Sequence, residues 1–232
     1  LVNMHETSSG LLYDMRLLSE FCREREMLLI VDAVSAFIAE EIDMAALGAD
    51  VVLTGSQKAL ACHPGISLMA LSPRGQERVA ENPEVCSYLS LKEALRNGER
   101  GQTPWTPAVN TLLEVNARLR SIEARGIDAE RAEIASRAKA VRDALTALHN
   151  AGLKLAVGSS SKNAAYILEQ LDANRYFDAV CDGTMIAHSK PDPEVFTKAA
   201  AMVGLAPADC LVVEDAAAGL EAARAGGMAV SY

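Results

Sequence analysis

The chain has 232 residues, with 22 lysines and arginines against 31 aspartates and glutamates, a formal net charge of -9 and 50% hydrophobic residues. This length allows one large or two small domains, at roughly 100–200 residues each, and the composition excludes a disordered or collagen-like chain. No apolar run approaches the roughly 18 residues of a membrane span, and no secretory signal is recognisable, so we expect a cytoplasmic protein. Acidic residues outnumber basic ones, and the lysines and arginines form no cluster. Both features argue against nucleic-acid and membrane partners and favour small-molecule chemistry.

Short apolar runs alternate with helical periodicity, which predicts an α/β fold with a mainly parallel sheet. The predicted strands are, in chain order, Leu28–Val31, Val51–Leu53, Ser67–Leu71, Leu153–Val157, Ala179–Val180 and Cys210–Val213. Between the third and the fourth, apolar spacing predicts two helices, one between Pro107 and Gly126 and one ending near Asn150. The motifs change near residues 146–152, so we predict two partial domains, residues 1–145 and 146–232.

The first candidate site pairs an aspartate with a lysine. Asp32 follows the apolar run Leu28–Val31, and Lys58 follows the strand Val51–Leu53 on a Gly-Ser turn. Because parallel strands end at the same sheet edge, we expect both side chains at one edge. This arrangement suits pyridoxal phosphate, for which a lysine forms the Schiff base and moves the proton while an aspartate keeps the pyridine nitrogen protonated. On spacing alone, the alternatives are a capping aspartate and a surface lysine.

Four motifs occur in the order found in class V aminotransferases. They are His5-Glu6-Thr7-Ser8-Ser9-Gly10, Val31-Asp32-Ala33-Val34-Ser35, Gly55-Ser56-Gln57-Lys58-Ala59-Leu60 with Pro64-Gly65, and Gly101-Gln102-Thr103-Pro104-Trp105-Thr106-Pro107. Over about residues 1–145 the chain therefore resembles this family, and within it the alanine–glyoxylate and serine–glyoxylate aminotransferases. The resemblance implies a pyridoxal 5'-phosphate-dependent transamination between a small amino acid and a 2-oxo acid such as glyoxylate.

By this resemblance Lys58 is the lysine that bonds the cofactor, Asp32 partners the pyridine nitrogen, and Val34 packs against the ring face. The family's Gly-rich phosphate loop, its ring-stacking aromatic residue and its substrate-binding arginine lie outside the stretch that the resemblance covers. The sequence opens on Leu1 in motif-like sequence and stops at Tyr232 just after a predicted strand. We therefore expect a fragment that carries half of the cofactor site.

The other implied cofactor contacts are polar. Thr7 corresponds to the hydroxyl residue near the cofactor's phenolic oxygen, and Gln57 to a phosphate contact. Thr106 corresponds to the phosphate contact that the partner subunit of a dimer lends, with Thr103 as the second choice. For Thr7 the alternative is a strand-end hydroxyl that bonds the backbone. For Thr106 it is a helix N-cap ahead of Pro107, a role compatible with ligand binding.

The second candidate site lies in the last third of the chain. A predicted strand runs into the turn Ser159-Ser160-Ser161-Lys162-Asn163, where N–H groups and hydroxyls can hold an anion. Lys190 precedes a Pro-Asp-Pro sequence, and Glu214 and Asp215 follow the strand Cys210–Val213. Paired carboxylates at the end of a buried strand suit Mg²⁺. Taken singly, the alternatives are a solvated turn lysine and an acidic helix start.

This ordered set resembles the haloacid dehalogenase superfamily, in its β-phosphoglucomutase-like branch, over about residues 146–232. The resemblance implies a Rossmann-like core in which Ser159 binds phosphate, Lys190 neutralises it, and Glu214 and Asp215 hold Mg²⁺. The implied secondary phosphate contacts are Ser161, Lys162 and Asn163. No Asp-x-Asp motif follows an upstream strand, so the covalent route has no first step. The four histidines share no metal-ligand spacing, and we expect none to bind a metal.

We therefore predict a partial aminotransferase cofactor domain followed by a partial haloacid dehalogenase core. Transamination is the leading function. The alternatives are a Mg²⁺-dependent sugar-phosphate mutase or phosphatase that lacks its nucleophile, and an inactive chain that binds phosphate-bearing ligands. The expected partners are a small amino acid, a 2-oxo acid and, for the second segment, a phosphorylated sugar. We also expect a homodimer or other self-association, because the residue corresponding to Thr106 acts across a dimer interface in the resembled family.

Overall fold

The computed structural model describes residues 1–7 and 10–231. Within them the chain forms two compact units. The first comprises Leu1–Glu6 and Leu12–Ala135, and the second comprises the described residues of Thr7–Leu11 and Ser136–Tyr232. The division between Ala135 and Ser136 falls inside the helix Ile127–Asn150. The domain boundary between residues 145 and 146, which the motifs indicate, stays a prediction.

The described residues contain ten strands and nine α-helices. The strands are β1 (Val2–Asn3), β2 (His5–Glu6), β3 (Leu11–Leu12), β4 (Ile30–Asp32), β5 (Val51–Gly55), β6 (Ser67–Leu71), β7 (Ala156–Gly158), β8 (Ala179–Cys181), β9 (Leu211–Val213) and β10 (Ala229–Ser231). The helices are α1 (Met15–Glu24), α2 (Met44–Leu47), α3 (Pro73–Glu81), α4 (Leu91–Gly98), α5 (Val109–Arg125), α6 (Ile127–Asn150), α7 (Ala164–Gln170), α8 (Glu194–Met202) and α9 (Ala217–Ala225). None of these helices combines the length and the apolar content that a membrane crossing requires.

The first unit is built on a four-stranded sheet in the order β1-β4-β5-β6. Strands β1, β4 and β5 run parallel, and β6 runs antiparallel to β5. Val31 of β4 and Ala33 just beyond it are fully buried, in a core that includes Met15 of α1. Burial on both faces explains why the sequence of this central strand is an unbroken apolar run. The mixed α/β fold with a mainly parallel sheet is confirmed.

Strand β4 begins two residues later than predicted and includes Asp32, and the buried side chain of Asp50 accounts for the late start. Asp50 Oδ2 accepts a hydrogen bond from Leu29 N at 2.8 Å, so this amide bonds a side chain. Arg74 of α3 donates to both carboxylate oxygens of Asp50, at 2.8 and 2.7 Å. These bonds join α3 to the amino ends of β4 and β5.

Helix α5 corrects one prediction about Thr106. The helix begins at Val109 with Ala108 in the N-cap position, and no side chain caps it. Pro107 therefore stands before the cap, and the Thr106 hydroxyl is too early in the chain to reach the amides of the first turn. The predicted N-cap role of Thr106 is wrong. The predicted helix end is confirmed, because Gly126 follows Arg125 with a φ of 84°.

The second unit contains two parallel strand pairs, β7 with β8 and β9 with β10. Helix α8 contributes Val195 and Phe196 to a buried core that also includes Cys181 of β8 and Ala222 of α9. Among the described residues, neither β7 nor β9 pairs with a strand on its second edge. The carboxyl ends of these two strands lead directly into the second candidate site.

Candidate functional site

The structure places Asp32 and Lys58 at the carboxyl ends of neighbouring parallel strands. Asp32 is the last residue of β4 and lies opposite Leu53 of β5 in the parallel register. Lys58 follows the end of β5 at Gly55 by three residues. Both groups therefore belong to the same edge of the sheet in the first unit.

The Asp32 side chain is half-buried, and one of its two carboxylate oxygens accepts a hydrogen bond. Its Oδ1 accepts a hydrogen bond from Val34 N at 2.9 Å, which fixes the turn that leaves β4. Its Oδ2 has no hydrogen-bond partner within residues 1–7 and 10–231. The carboxylate is thus held in place by one oxygen, while the other can accept a proton donor from a ligand.

Lys58 has an exposed side chain on a firmly held turn. The fully buried Ser56 donates from its hydroxyl to His63 O at 2.7 Å, and Ala61 N donates to Lys58 O at 2.8 Å. No ion pair or hydrogen bond engages the ammonium group of Lys58 among the residues that the structure describes. The backbone is anchored, and the amine is available to a ligand.

Gln57 folds back over the end of β5. A Cβ atom at Gly55 would lie 2.6 Å from Gln57 Oε1, so a larger residue there would displace the end of this exposed side chain. Thr54, one residue earlier in the strand, has a buried hydroxyl oxygen with no hydrogen-bond partner among the described residues. Small and polar groups therefore lie at the sheet edge where the phosphate contact was predicted.

The other predicted cofactor residues lie in separate segments of the chain. Val34 is half-buried beside Asp32. Thr7 is exposed and belongs to the short segment that groups with the second unit. Thr106 is exposed ahead of α5, and Thr103 Oγ1 donates to Trp105 O at 2.8 Å. The motif residues Ser8 and Ser9 lie outside the described residues.

Sequence reasoning missed a contact that braces the Lys58 turn. Glu114 of α5 accepts from His63 N at 3.0 Å and contacts His63 Nδ1 at 2.8 Å. The backbone and ring hydrogen bonds from His63 lower the pKa of Glu114 below its ordinary value. The two residues are 51 positions apart, and no local sequence pattern predicts such a pairing.

In the second unit the predicted phosphate-binding lysine meets one of the predicted metal ligands. Lys190 Nζ lies 2.6 Å from Glu214 Oε2, and both side chains are mostly buried. The hydrogen bond from Lys190 is the main cause that lowers the pKa of Glu214. Glu214 Oε1 also accepts from Ala216 N at 3.1 Å, which leads into α9. Asp215 is exposed at the start of the same turn.

Two glycines make room for this arrangement. A Cβ atom at Gly219 would lie 2.3 Å from Glu214 Cδ, and one at Gly158 would lie 2.7 Å from the Phe196 ring. The same ring lies under Lys190 Nζ, 4.5 Å from its centroid. The carboxyl ends of β7 and β9 thus converge on Lys190 and Phe196.

The Ser-rich turn after β7 is held by its own backbone. Ser159 N donates to Cys181 O at 2.9 Å, and Ser159 Oγ accepts from Ser161 N at 3.2 Å. Ser160 Oγ is buried without a hydrogen-bond partner among the described residues. The predicted hydroxyl of Ser159 and the unpredicted one of Ser160 are therefore both candidate anion contacts.

The structure also groups His188, Asp192 and Glu194, whose ligand atoms lie within 4.8 Å of one another. Sequence spacing did not single out His188. Glu194 is already engaged, because it accepts from Ala187 N, His188 N and Lys198 Nζ. The bond from Lys198 is the main cause that lowers the pKa of Glu194 to about 2. We read this carboxylate as an anchor for the turn before α8.

Comparison with known proteins finds relatives of two kinds. A family model described as haloacid dehalogenase-like hydrolase matches residues 34–227. The β-phosphoglucomutase of Bacillus subtilis (strain 168) is 45% identical over 84 residues, which cover 36% of this chain and 37% of that protein. The serine–glyoxylate aminotransferase of Arabidopsis thaliana is 31% identical over 148 residues, which cover 62% of this chain and 36% of that protein.

A solved structure supports the aminotransferase-like fold. The pyridoxamine–pyruvate aminotransferase of Mesorhizobium loti superposes with a TM-score of 0.58 and 30% identity, over 63% of this chain and 38% of that chain. The chain spans less than half of the length of each of these relatives. The resemblances to class V aminotransferases and to β-phosphoglucomutase-like proteins, each over part of a family's fold, are confirmed. By its match over most of its length, the chain belongs to the haloacid dehalogenase-like hydrolases.

Proposed function

We propose that the first unit binds pyridoxal 5'-phosphate through Lys58 and contributes to a class V aminotransferase-type site. One observation carries this proposal. The free amine of Lys58 and the half-engaged carboxylate of Asp32 follow neighbouring parallel strands at one sheet edge. The similarity to two proteins named as aminotransferases supports it.

The residues present fit such a cofactor. When bound, the cofactor supplies an electron sink for the substrate's α-carbon. Lys58 would hold the cofactor and could move a proton at its Nζ, because no ion pair or hydrogen bond engages that amine among the described residues. Asp32 Oδ2 would accept a hydrogen bond from the protonated pyridine nitrogen, while Oδ1 stays fixed by Val34 N. Gln57, folded over Gly55, donates to the phosphate.

The proposed substrates and assembly are taken from the aminotransferases that the first part of the chain resembles. We propose a small amino acid as donor and a 2-oxo acid such as glyoxylate as acceptor. The phosphate contact of Thr106 is proposed to act across a dimer, a role that its exposed position ahead of α5 permits. Thr7 is proposed as the hydroxyl contact near the phenolic oxygen.

For the second unit we propose a different function, which is binding without catalysis. We propose that it binds a phosphorylated sugar with Mg²⁺ through Ser159, Lys190, Glu214 and Asp215, without turnover. The convergence of β7, β9 and Lys190 supports a phosphate site, and the similarity to a β-phosphoglucomutase supports the ligand class. Without an Asp-x-Asp motif the described chain offers no aspartyl nucleophile for a covalent step. Magnesium-dependent release of phosphate that Asp215→Ala abolishes would contradict this proposal.

An absorbance titration tests the leading proposal. Adding pyridoxal phosphate to the full chain should produce an absorbance band at about 420 nm, the signature of a lysine-bound cofactor. Lys58→Ala should abolish the band, while the control Lys92→Ala, a half-buried lysine in the first unit, should retain it. Equal spectra for the two variants would refute the role of Lys58.

A further inference from the structure

The Lys58 turn, residues 56–66, connects the antiparallel strands β5 and β6. A backbone hydrogen bond of 3.0 Å from Ser56 N to Ile66 O closes its base. On the side of the lysine, Leu60 is 1% exposed and belongs to one core cluster with Ile122 of α5. The base and one side of the turn are therefore fixed by burial, and its far end lies at the surface.

The far end of the turn contains a strained residue. Ala61 has a φ of 54°, in the left-handed region that residues with a Cβ atom rarely adopt. Its amide donates to Lys58 O at 2.8 Å, so the strained residue and the lysine share one hydrogen-bonded turn. Such a backbone conformation persists where neighbouring contacts hold it. The exposed methyl group of Ala61 makes a poor anchor, so the restraint must come from a neighbour.

Glu114 of α5 supplies this restraint through His63. Its Oε2 accepts from His63 N at 3.0 Å, and its Oε1 lies 2.8 Å from His63 Nδ1. A carboxylate only accepts hydrogen bonds, so Nδ1 carries the proton in this contact. Both oxygens of one carboxylate thus hold a single residue, two positions after Ala61.

The exposure of this contact limits what it does. The side chains of His63 and Glu114 are 80% and 38% exposed, and ion pairs between exposed groups add little to the stability of a whole domain. A contact of this strength is sufficient to choose between two arrangements of a short turn whose own backbone is strained. We therefore expect it to affect the position of Lys58 more than the unfolding of the first unit.

The position of Lys58 matters because Asp32 has a fixed one. The two residues follow neighbouring strands at one sheet edge, and Val34 N holds one oxygen of Asp32. The lysine moves with its turn, and an arrangement that carries the amine away from this edge does not bind the cofactor. The apparent affinity therefore scales with the fraction of molecules whose turn is in the binding arrangement.

We propose that Glu114 and His63 are positioning residues for Lys58. They hold the Lys58 turn against α5 in its strained arrangement and so keep the amine at the sheet edge where Asp32 lies. This inference rests on the proposed cofactor site of the first unit. It adds to that site two residues that are assigned no contact with the cofactor.

Cofactor titration of three variants of the full chain tests this proposal, with the absorbance band at about 420 nm as the signal. Glu114→Ala should weaken the apparent affinity for pyridoxal phosphate about threefold to tenfold. Glu114→Gln keeps an oxygen that accepts from His63 N and should restore most of the affinity. Glu123→Ala, at an exposed glutamate of the same helix, is the control and should change nothing.

The melting temperature of the first unit separates positioning from general stability. In Glu114→Ala it should change by under about 2 °C. An unchanged affinity in this variant, or a loss of affinity that accompanies a large fall in melting temperature, would overturn the proposal.

Relieving the strain gives a second readout. Ala61→Gly introduces a residue that adopts a left-handed φ freely, so the turn should depend less on Glu114. In this background Glu114→Ala should weaken cofactor binding by under about twofold. Equal losses in the two backgrounds would show that Glu114 does not act through the turn.

Amide hydrogen exchange without cofactor distinguishes this proposal from the proposed cofactor site. The amides of Ala61 and Cys62 bond Lys58 O and Ser56 O, so they report the turn and not the lost contact with Glu114. Glu114→Ala should speed their exchange at least about tenfold and leave the amides of β5 unchanged. A wild-type chain that shows no band at about 420 nm would refute the cofactor site alone. Unchanged exchange at Ala61 and Cys62 would overturn the present proposal, whether or not the cofactor binds.

Discussion

Lys190 Nζ lies 2.6 Å from Glu214 Oε2, although the two residues are 24 positions apart. The pair sits where the carboxyl ends of β7 and β9 converge. Its ammonium group also lies over the Phe196 ring. A residue predicted to neutralise phosphate and one predicted to bind a metal thus share a single charge-assisted hydrogen bond.

Removing Lys190 should raise the pKa of Glu214. In the folded protein that pKa lies below 4.5, chiefly because Lys190 donates to the carboxylate. A lowered pKa stabilises the folded state above the ordinary value, and this stabilisation is lost as the pH falls through the lowered value. In Lys190→Met we expect the Glu214 pKa, followed by carboxyl carbon NMR, to rise above 4.5, because burial without a cation favours the neutral form. An unchanged pKa would contradict the pairing.

Asp50→Ala should destabilise the first unit by about 2–4 kcal/mol, because it leaves Leu29 N and Arg74 without their buried partner. Thermal unfolding of the first unit measures this loss. The control Asp128→Ala removes an ion pair with a 93% exposed aspartate and should change the free energy of unfolding by under about 0.5 kcal/mol. Comparable losses in both variants would show that Asp50 is not a buried anchor.

The pH dependence of the Asp50 contribution has a defined sign. Arg74 chiefly lowers the pKa of Asp50 below 3.8. Its stabilisation should therefore be complete above that ordinary value and decline only at lower pH. Wild type and Asp50→Asn should differ most near neutral pH and converge only as the pH falls through the lowered pKa of Asp50. A difference that instead grows on acidification would contradict the assignment.

Gly219→Ala should disrupt the Lys190–Glu214 pair. The new Cβ atom would meet Glu214 Cδ at 2.3 Å, so the glutamate must move, at a cost of about 1–3 kcal/mol. Gly98→Ala is the control, because nothing lies within 4 Å of a Cβ atom there and alanine favours the helix by about 0.5–1 kcal/mol. We expect opposite shifts in melting temperature. A stabilising effect at both positions would show that Glu214 is free to rearrange.

Assembly should depend on the cofactor if Thr106 acts across a dimer. Light scattering should then detect a dimer with pyridoxal phosphate, and Thr106→Val should weaken cofactor binding several-fold by removing a phosphate donor. Thr103→Val tests the second choice for this contact, whose hydroxyl donates to Trp105 O, and should leave cofactor binding unchanged. A monomer that binds the cofactor as tightly as before would refute this role.

The parts of the fold that depend on local periodicity could be predicted from the sequence. Strand β6 has the predicted bounds Ser67–Leu71, and helix α5 ends where Gly126 permits a positive φ. The common edge of Asp32 and Lys58 follows from the rule that parallel strands end together.

Contacts between distant segments could not be predicted in this way. His63 and Glu114 meet only because the Lys58 turn packs against α5, and Asp50 and Arg74 meet only after β5 and α3 have formed. The late start of β4 has the same origin, since a side chain from outside the local pattern takes the Leu29 amide. The open edges of β7 and β9 likewise depend on strand order, which periodicity does not encode.

Peptide mapping after borohydride reduction tests the central claim most directly. Reduction of the chain loaded with pyridoxal phosphate fixes the cofactor to the lysine that holds it. The free amine of Lys58 on its anchored turn predicts that the label lies on the peptide containing Lys58. A label on Lys92 or Lys139, or scattered over several lysines, would contradict the assignment of the first unit as a cofactor site.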